Sequence, residues 1–192
     1  EAVTVKRKDL YLSDSPKQYV KKAEEVISGT GNIQVDYCLC EALGKEAYRL
    51  RITEEGVLIT ASAPNGAYYA LCTLSQLFQL NGGEICLLEI EDAPTMPLRG
   101  ISDDISRGQV STLQNFKDII RRMSLVKCNV YMPYMEDTFA YKKYPESGKF
   151  SDPVPQEEWK ELVEYAKDYY VTIIPIFNTI GHWDKNAKLE YF

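Results

Sequence analysis

Polar and ionisable side chains follow three apolar stretches in the second half of the chain. In chain order they are Asp103, Asp104, Arg107, Glu136, Asp137, Asn178 and His182. In parallel α/β folds the carboxyl ends of the strands meet on one side, so these residues are predicted to share one site. Carboxylates supported by arginine and aromatic residues suit chemistry on sugars, and a carbohydrate site is therefore the first hypothesis.

His182 is the only histidine of the chain, and it follows the last of the three apolar stretches. A carboxylate next to an imidazole fixes its tautomer and raises its pKa. Asp137 is the acid predicted to lie beside His182. The pair would support a site rather than carry out the chemistry itself.

Each group also has a purely structural interpretation. Arg99 could form a salt-bridge group with Asp103 or Asp104 that closes one end of a barrel. Glu136 and Asp137 could cap a loop or form a solvated acidic pair. A lone histidine is most often an exposed or packing residue, and only its position after a strand favours a functional role.

Several kinds of site are absent from the sequence. It has no GxSxG nucleophile motif, no GxxxxGK[ST] phosphate loop, no dinucleotide fingerprint and no HExxH zinc motif. One histidine and five cysteines without CxxC spacing argue against a metal site, and no cofactor is expected. The odd number of cysteines indicates unpaired thiols, which slightly favours the cytoplasm, while secretion after removal of a signal peptide stays open.

Composition limits the partners. The net charge is −6 and no long basic run occurs, which argues against binding to nucleic acid. No stretch reaches the roughly 18 consecutive apolar residues of a membrane helix, so no membrane partner is expected. The 14 tyrosines suit a carbohydrate-binding surface, although packing of their amphipathic rings is the more common reason for them.

The elements that must position these residues fall into two halves. The first half predicts strand, helix, strand, hairpin, helix and strand, which describes a small α+β domain. Its first helix is predicted to begin at Ser15 and Pro16 and to end at Gly29. A polar segment with two prolines, Glu91 to Pro97, separates the halves and gives predicted domains 1–92 and 93–192.

The second half predicts strand, helix, strand, helix and strand, with the last strand from Val171 to Asn178. This order implies parallel strands joined by right-handed crossovers. It fits either an open doubly wound sheet or the opening of a (β/α)8 barrel. A full barrel needs about 250 residues, so a barrel in this chain would be truncated after its third strand.

Four blocks of the sequence resemble one enzyme family. In chain order they are "EAYRLRITEEGVLITASAPNGAYYALCTLSQLFQL", "DAPTMPLRGISDDISRGQV", "LVKCNVYMPYMEDTFAY" and "IIPIFNTIGHW". They resemble the small domain before the barrel, the entry into the first barrel strand, the second strand and the third strand of glycoside hydrolase family 20, the β-N-acetylhexosaminidases. The resemblance implies a small α+β domain followed by the first three βα units of a TIM barrel.

The resemblance also implies roles for individual residues. Arg99 matches an arginine that binds the hydroxyl groups of the terminal sugar. Asp104 belongs to the motif of the first strand and, with Arg99 and Glu136, is a predicted substrate-binding residue. Asp137, or Glu136 if the loop aligns one residue differently, matches the acidic partner of the family histidine, which is His182 here.

The chain departs from the family pattern in ways that bear on function. Gly108 stands where a histidine is common, and Met132 and Tyr134 stand where the second strand often carries histidines. In the family, the neighbouring Asp-Glu pair of a substrate-assisted, retaining mechanism lies at the fourth strand, and no catalytic residue is assigned in this chain.

The predicted function is an amino-terminal fragment of a hydrolase that acts on terminal N-acetylhexosamine, inactive by itself, with a glycan as its partner. The alternative is a non-catalytic carbohydrate-binding or interaction module on the same scaffold. Because an incomplete barrel leaves an apolar face and an unpaired strand edge, self-association is also predicted.

Overall fold

A computed structural model describes residues 3–27, 29, 31–179 and 181–182 of the 192-residue chain. The chain divides into two compact units, Glu1–Pro97 and Leu98–Phe192. Each unit combines helices with a sheet, which confirms the predicted α/β class. No helix among the described residues combines the length and the apolar character needed to cross a bilayer.

The elements of the first unit are β1 (Thr4–Lys6), a short 3-10 helix (Arg7–Asp9), β2 (Leu10–Leu12), α1 (Asp14–Tyr19), α2 (Ala23–Val26), β3 (Ile33–Leu39), β4 (Tyr48–Ile52), β5 (Gly56–Ala61), α3 (Pro64–Leu80), β6 (Glu84–Cys86) and β7 (Leu88–Asp92). The unit is built on a five-stranded sheet with the order β2-β3-β5-β4-β7. Strands β2, β3 and β5 run parallel, whereas β4 is antiparallel to both of its neighbours, and β1 pairs separately with β6.

Helix α3 supplies most of the helical side of this core. It begins at Pro64, whose fixed φ and missing N–H suit the first turn, and it buries Tyr68, Leu71 and Phe78 completely. At Gly66 an added Cβ would lie 2.7 Å from the carbonyl oxygen of Ala47. The close approach of the helix to the chain before β4 therefore requires a glycine at this position.

The helix predicted from Ser15 to Gly29 is wrong, because the structure has two short helices there. Helix α1 begins at Asp14, and the chain is extended at Val20 before Lys22 takes a left-handed φ of 66° and α2 begins. Val20 and Ile27 are buried all the same. The apolar side chains whose spacing predicted one helix are thus buried by two short helices. No glycine or proline marks the break between these helices.

The elements of the second unit are β8 (Gly100–Asp104), α4 (Leu113–Leu125), β9 (Val130–Met135), α5 (Gln156–Asp168), β10 (Thr172–Ile173) and β11 (Ile176–Phe177). Its sheet is parallel and has β9 at its centre. Strand β8 pairs with one side of β9, and β10 and β11 pair with the other side. The single strand predicted from Val171 to Asn178 is divided around Pro175, because proline has no N–H for the ladder.

The two faces of this sheet carry different side chains. On one face Tyr131 is fully buried and its ring contacts Phe116 of α4, which in turn packs against Trp159 of α5 at a centroid distance of 5.3 Å. Side chains alternate along a strand, so the opposite face carries Asp104 from β8 and its register partner Tyr134 from β9. Asp104 and Glu136 lie on that opposite face, at the carboxyl ends of the strands.

Candidate functional site

The carboxylate of Glu136 is the centre of a polar cluster at the end of β9. Its Oε1 atom lies 2.9 Å from Nη1 of Arg107 and accepts a hydrogen bond from the hydroxyl of Tyr134 at 3.1 Å. The Nδ1 atom of His182 is 3.9 Å from the same oxygen. Because the Glu136 side chain is only 5% exposed, these groups replace the water that a carboxylate would otherwise bind.

Arg107 connects Glu136 to the end of β8. Its Nε donates to Oδ2 of Asp104 at 3.1 Å, and the backbone N–H and hydroxyl of Ser106 donate to Oδ1 at 3.0 and 2.7 Å. Partial burial by itself raises the pKa of Asp104, but the Ser106 hydrogen bonds and the charge of Arg107 outweigh it and hold this pKa below its usual value. Asp104 is therefore a fixed anion.

Tyr134 connects Glu136 to Asn178, the residue that follows β11. Its hydroxyl accepts a hydrogen bond from Nδ2 of Asn178 at 2.5 Å, and the guanidinium carbon of Arg107 lies 5.7 Å from the centroid of its ring. Burial and the hydrogen bond to Glu136 raise the pKa of Tyr134, so the phenol stays a neutral donor. Sequence reasoning did not name Tyr134 as a site residue, although its position two residues before Glu136 on the same face is a signal for it.

The acid beside His182 is Glu136, whereas the sequence predicted Asp137 first and Glu136 as the alternative. Asp137 is 1% exposed and accepts a hydrogen bond from the hydroxyl of Ser151 at 2.7 Å. Because neighbouring side chains of an extended chain point to opposite sides, Glu136 shares the side of Tyr134 and Asp137 does not. Glu136, the predicted alternative, is thus the acid next to His182, and the role of the pair stays a prediction.

Two other candidates lie away from the cluster. Asp103 accepts a hydrogen bond from the hydroxyl of Tyr131 at 2.6 Å, on the face that packs against the helices. Arg99 precedes β8, and its Nε donates to the carbonyl of Lys127 ahead of β9 at 2.9 Å, at the amino ends of the strands. The predicted role of Arg99 in binding sugar hydroxyls stays a prediction.

The arrangement can bind and orient hydroxyl groups. Asp104 and Glu136 provide carboxylate acceptors, Arg107 provides donors, and the side chain of His182 is 59% exposed. The hydroxyl of Tyr134 already donates to Glu136 and so positions that carboxylate. A general acid needs a raised pKa, which Asp104 does not have. Among the described residues, no group of three or more histidine, cysteine, aspartate and glutamate side chains could hold a metal ion.

The chain is similar to a known family model and to several curated proteins. Residues 4–93 match the model described as glycosyl hydrolase family 20, domain 2. The β-hexosaminidase subunit beta of Entamoeba histolytica is 32% identical over 150 residues, an alignment that covers 71% of this chain and 26% of that protein. The chain spans about a quarter of the length of the first curated relatives that it matches.

Solved structures show the same fold. The β-N-acetylhexosaminidase from Bacteroides fragilis matches with a TM-score of 0.79 and 22% identity, over 97% of this chain and 44% of that one. The family 20 exo β-N-acetylglucosaminidase from Vibrio harveyi, solved in complex with N-acetylglucosamine, matches with a TM-score of 0.71 and 20% identity, over 91% of this chain and 33% of that one.

The relatives are named as β-hexosaminidases, and these names do not favour the alternative of a non-catalytic module. The family match, the curated relatives and the solved structures together support a likeness of the chain to the β-N-acetylhexosaminidases of glycoside hydrolase family 20, and residues 4–93 match that family's domain 2.

Proposed function

We propose that this chain is the amino-terminal part of a β-N-acetylhexosaminidase and that its second unit helps to bind the terminal N-acetylhexosamine. The observation that carries the proposal is the convergence of Arg107, Tyr134 and His182 on one buried carboxylate, Glu136, at the carboxyl ends of parallel strands. Parallel α/β enzymes place their sites at that end. The bound N-acetylglucosamine of the Vibrio harveyi structure supports this class of ligand.

The second unit is proposed to be the first part of a (β/α)8 barrel, with residues 1–92 as the preceding domain and 93–192 as the barrel portion. Support comes from the parallel pairing of β8, β9, β10 and β11 and from the helices α4 and α5 between them. In such a barrel the face that bears Asp104 and Tyr134 would line the interior, and the face that contacts the helices would be the outer one.

The residues of this chain are proposed to orient the sugar rather than to break its bond. Glu136 and Asp104 accept hydrogen bonds from sugar hydroxyls, and His182, beside Glu136, provides a further polar contact. The retaining, substrate-assisted reaction that the resemblance implies needs a carboxylic acid with a raised pKa. Asp104 is held as an anion. No carboxylate of this chain is assigned as that acid, and the chain alone is expected to bind N-acetylglucosamine without hydrolysing its glycosides.

A titration with N-acetylglucosamine, followed by amide NMR shifts of the 192-residue chain, tests the proposal. The signals of residues 104–107 and 136 are expected to move, and Glu136→Gln is expected to weaken binding at least about tenfold, since a charged acceptor is lost. Glu164→Gln, on the exposed side of α5, is the matched control.

Unchanged binding by Glu136→Gln would contradict the assigned role. Release of nitrophenol from the N-acetylglucosaminide by the chain would contradict the expected inactivity.

Self-association is also proposed. Within the described part of the chain, β8 pairs only with β9, so its other edge offers unpaired backbone groups. Ile101 on this strand is 42% exposed. Strand edges of this kind pair with other chains unless they are covered. Light scattering over a range of concentrations is expected to show dimers or larger species, and a monomer at the highest concentration would refute the idea.

A further inference from the structure

Two cysteine thiols follow each other at the carboxyl end of β3 in the first unit. Cys38 is exposed, Cys40 is partly exposed, and both are free thiols. Cys38 is the register partner of Thr60 on β5, and the backbone N–H of Cys40 continues the ladder to the carbonyl of Ala61 at 2.9 Å. Because alternate residues of an extended chain point to the same side, both thiols project from one face of the five-stranded sheet.

Arg49 of β4 gives separate evidence that Cys40 shares this face. Arg49 is the register partner of Thr60, whose hydroxyl oxygen lies 3.2 Å from Sγ of Cys38, so these three side chains form one row across the sheet. The pKa of Arg49 is raised chiefly by its hydrogen bond and ion pair with Glu91, and Cys40 adds to this effect. Cys40 is therefore within electrostatic range of the guanidinium, and two thiols share one face with a cation.

The spacing of the thiols is too long for a disulfide and suits a metal ion with two ligands. Two residues of a strand span about 6.6 Å, whereas the Cβ atoms of a disulfide are roughly 4 Å apart. With the metal–sulfur distance of about 2.3 Å known for zinc thiolates, an ion held in line between two sulfurs separates them by about 4.6 Å. Side chains on Cβ atoms about 6.6 Å apart reach that separation when they lean towards each other.

The number and type of ligands point to a soft monovalent ion. Sequence reasoning argued against a metal site because no CxxC spacing occurs, and no group of three or more possible ligands exists among the described residues. Both observations concern ions such as Zn²⁺, which need three or four protein ligands. Cu⁺ is selected by soft thiolates and is stable with two of them.

We propose that Cys38 and Cys40 bind one Cu⁺ ion as a pair of thiolates. Each thiol releases its proton to water as its bond to copper forms, and no electron is transferred. Two thiolates and one Cu⁺ carry a net charge of minus one, which the guanidinium of Arg49 offsets. The inference is independent of the proposed function, because that function concerns the Glu136 cluster of the second unit.

Anaerobic titration of the intact 192-residue chain with Cu⁺, with bicinchoninate as a coloured competing chelator, tests the proposal. The wild type is expected to take one equivalent of Cu⁺ from the chelator. Cys38→Ser and Cys40→Ser are each expected to weaken binding at least about a hundredfold, because a single thiolate remains. Cys86→Ser, which removes another exposed thiol, is the matched control and should bind like the wild type. Wild-type affinity in both Cys38→Ser and Cys40→Ser overturns the inference.

The same titration tests the contribution of the cation. Arg49→Gln is expected to weaken binding at least about threefold, since the charge of the copper–thiolate group is no longer offset. Arg51→Gln is the matched control, because Arg51 lies two residues along the same strand and also pairs with Glu89. Equal affinities for the two arginine variants would remove Arg49 from the site.

Alkylation of the wild type by iodoacetamide needs no variant that must fold. Bound Cu⁺ is expected to protect Cys38 and Cys40 from the reagent and to leave Cys86 as reactive as it is without metal. Mass spectrometry of the digested chain measures the three sites separately. Alkylation of Cys38 and Cys40 at the same rate with and without Cu⁺ also overturns the inference.

Discussion

Nη1 of Arg107 lies 2.9 Å from Oε1 of Glu136, so a half-exposed cation neutralises a carboxylate that is almost completely buried. The same guanidinium reaches Asp104 at the end of the neighbouring strand. A lysine cannot reproduce both contacts, because its ammonium is a single point of charge whereas the guanidinium is a planar fork. The ends of β8 and β9 are thus held by one side chain.

Replacement of Arg107 by Gln is expected to lower the melting temperature of the second unit, since Glu136 would lose its cation. Arg107→Lys is expected to recover only part of the loss. Arg122→Gln, at an exposed position of α4, is the matched control and should leave the melting temperature unchanged. Equal melting temperatures for Arg107→Gln and the wild type would show that the ion pair has no role in stability.

Tyr131→Phe is expected to reduce the free energy of unfolding by about 1–2 kcal/mol, because Asp103 loses the hydroxyl that donates to it at 2.6 Å. The ring itself remains in place against Phe116. A double-mutant cycle with Asp103→Ala, which removes the acceptor, isolates the interaction when it is measured by urea unfolding. Strictly additive effects of the two substitutions would rule out a coupled pair.

Asp104 gives the second unit a pH-dependent contribution to stability on the acid side. Its pKa is held below the ordinary value in the folded chain, so the contribution is fully present above the unfolded pKa of about 4 and is lost as the pH falls through the folded pKa. Asp104→Asn is expected to flatten the decline of the melting temperature below pH 4. A decline as steep as that of the wild type would assign the acid sensitivity to other carboxylates.

Gly66→Ala is expected to destabilise the first unit by about 1–3 kcal/mol, because the new methyl group would meet the backbone oxygen of Ala47 at 2.7 Å. Gly44→Ala is the matched control, since the nearest neighbour of its Cβ is the Ala47 methyl group at an ordinary 3.8 Å. Far-ultraviolet circular dichroism during heating measures both variants. Equal melting temperatures for the two would contradict the packing argument.

The sequence predicted the parts of the fold that depend on periodicity. The helical spacing of Phe116 and Ile120, and of Trp159 and Leu162, predicted α4 and α5, and both helices bury those residues. Periodicity could not reveal the break at Lys22, because a left-handed residue between two short helices leaves the apolar spacing almost unchanged.

The candidate site was predicted in position more closely than in detail. Acidic residues at the ends of β8 and β9 were expected, but the choice between Glu136 and Asp137 depends on which side of the sheet each one takes at the end of the strand. The side that each residue takes is set by the register in which β9 pairs with β8. A single sequence does not specify this register. Tyr134, which joins Glu136 to Asn178, was noted only as a departure from the family pattern.

The burial of Trp159 against Phe116 also makes the second unit optically distinct. Both tryptophans of the chain, Trp159 and Trp183, lie after residue 98, and the first unit contains none. Tryptophan fluorescence therefore reports on the second unit, while circular dichroism reports on both. Parallel melts with the two signals can reveal whether the family's domain 2 and the unit that bears the Glu136 cluster unfold together or one at a time.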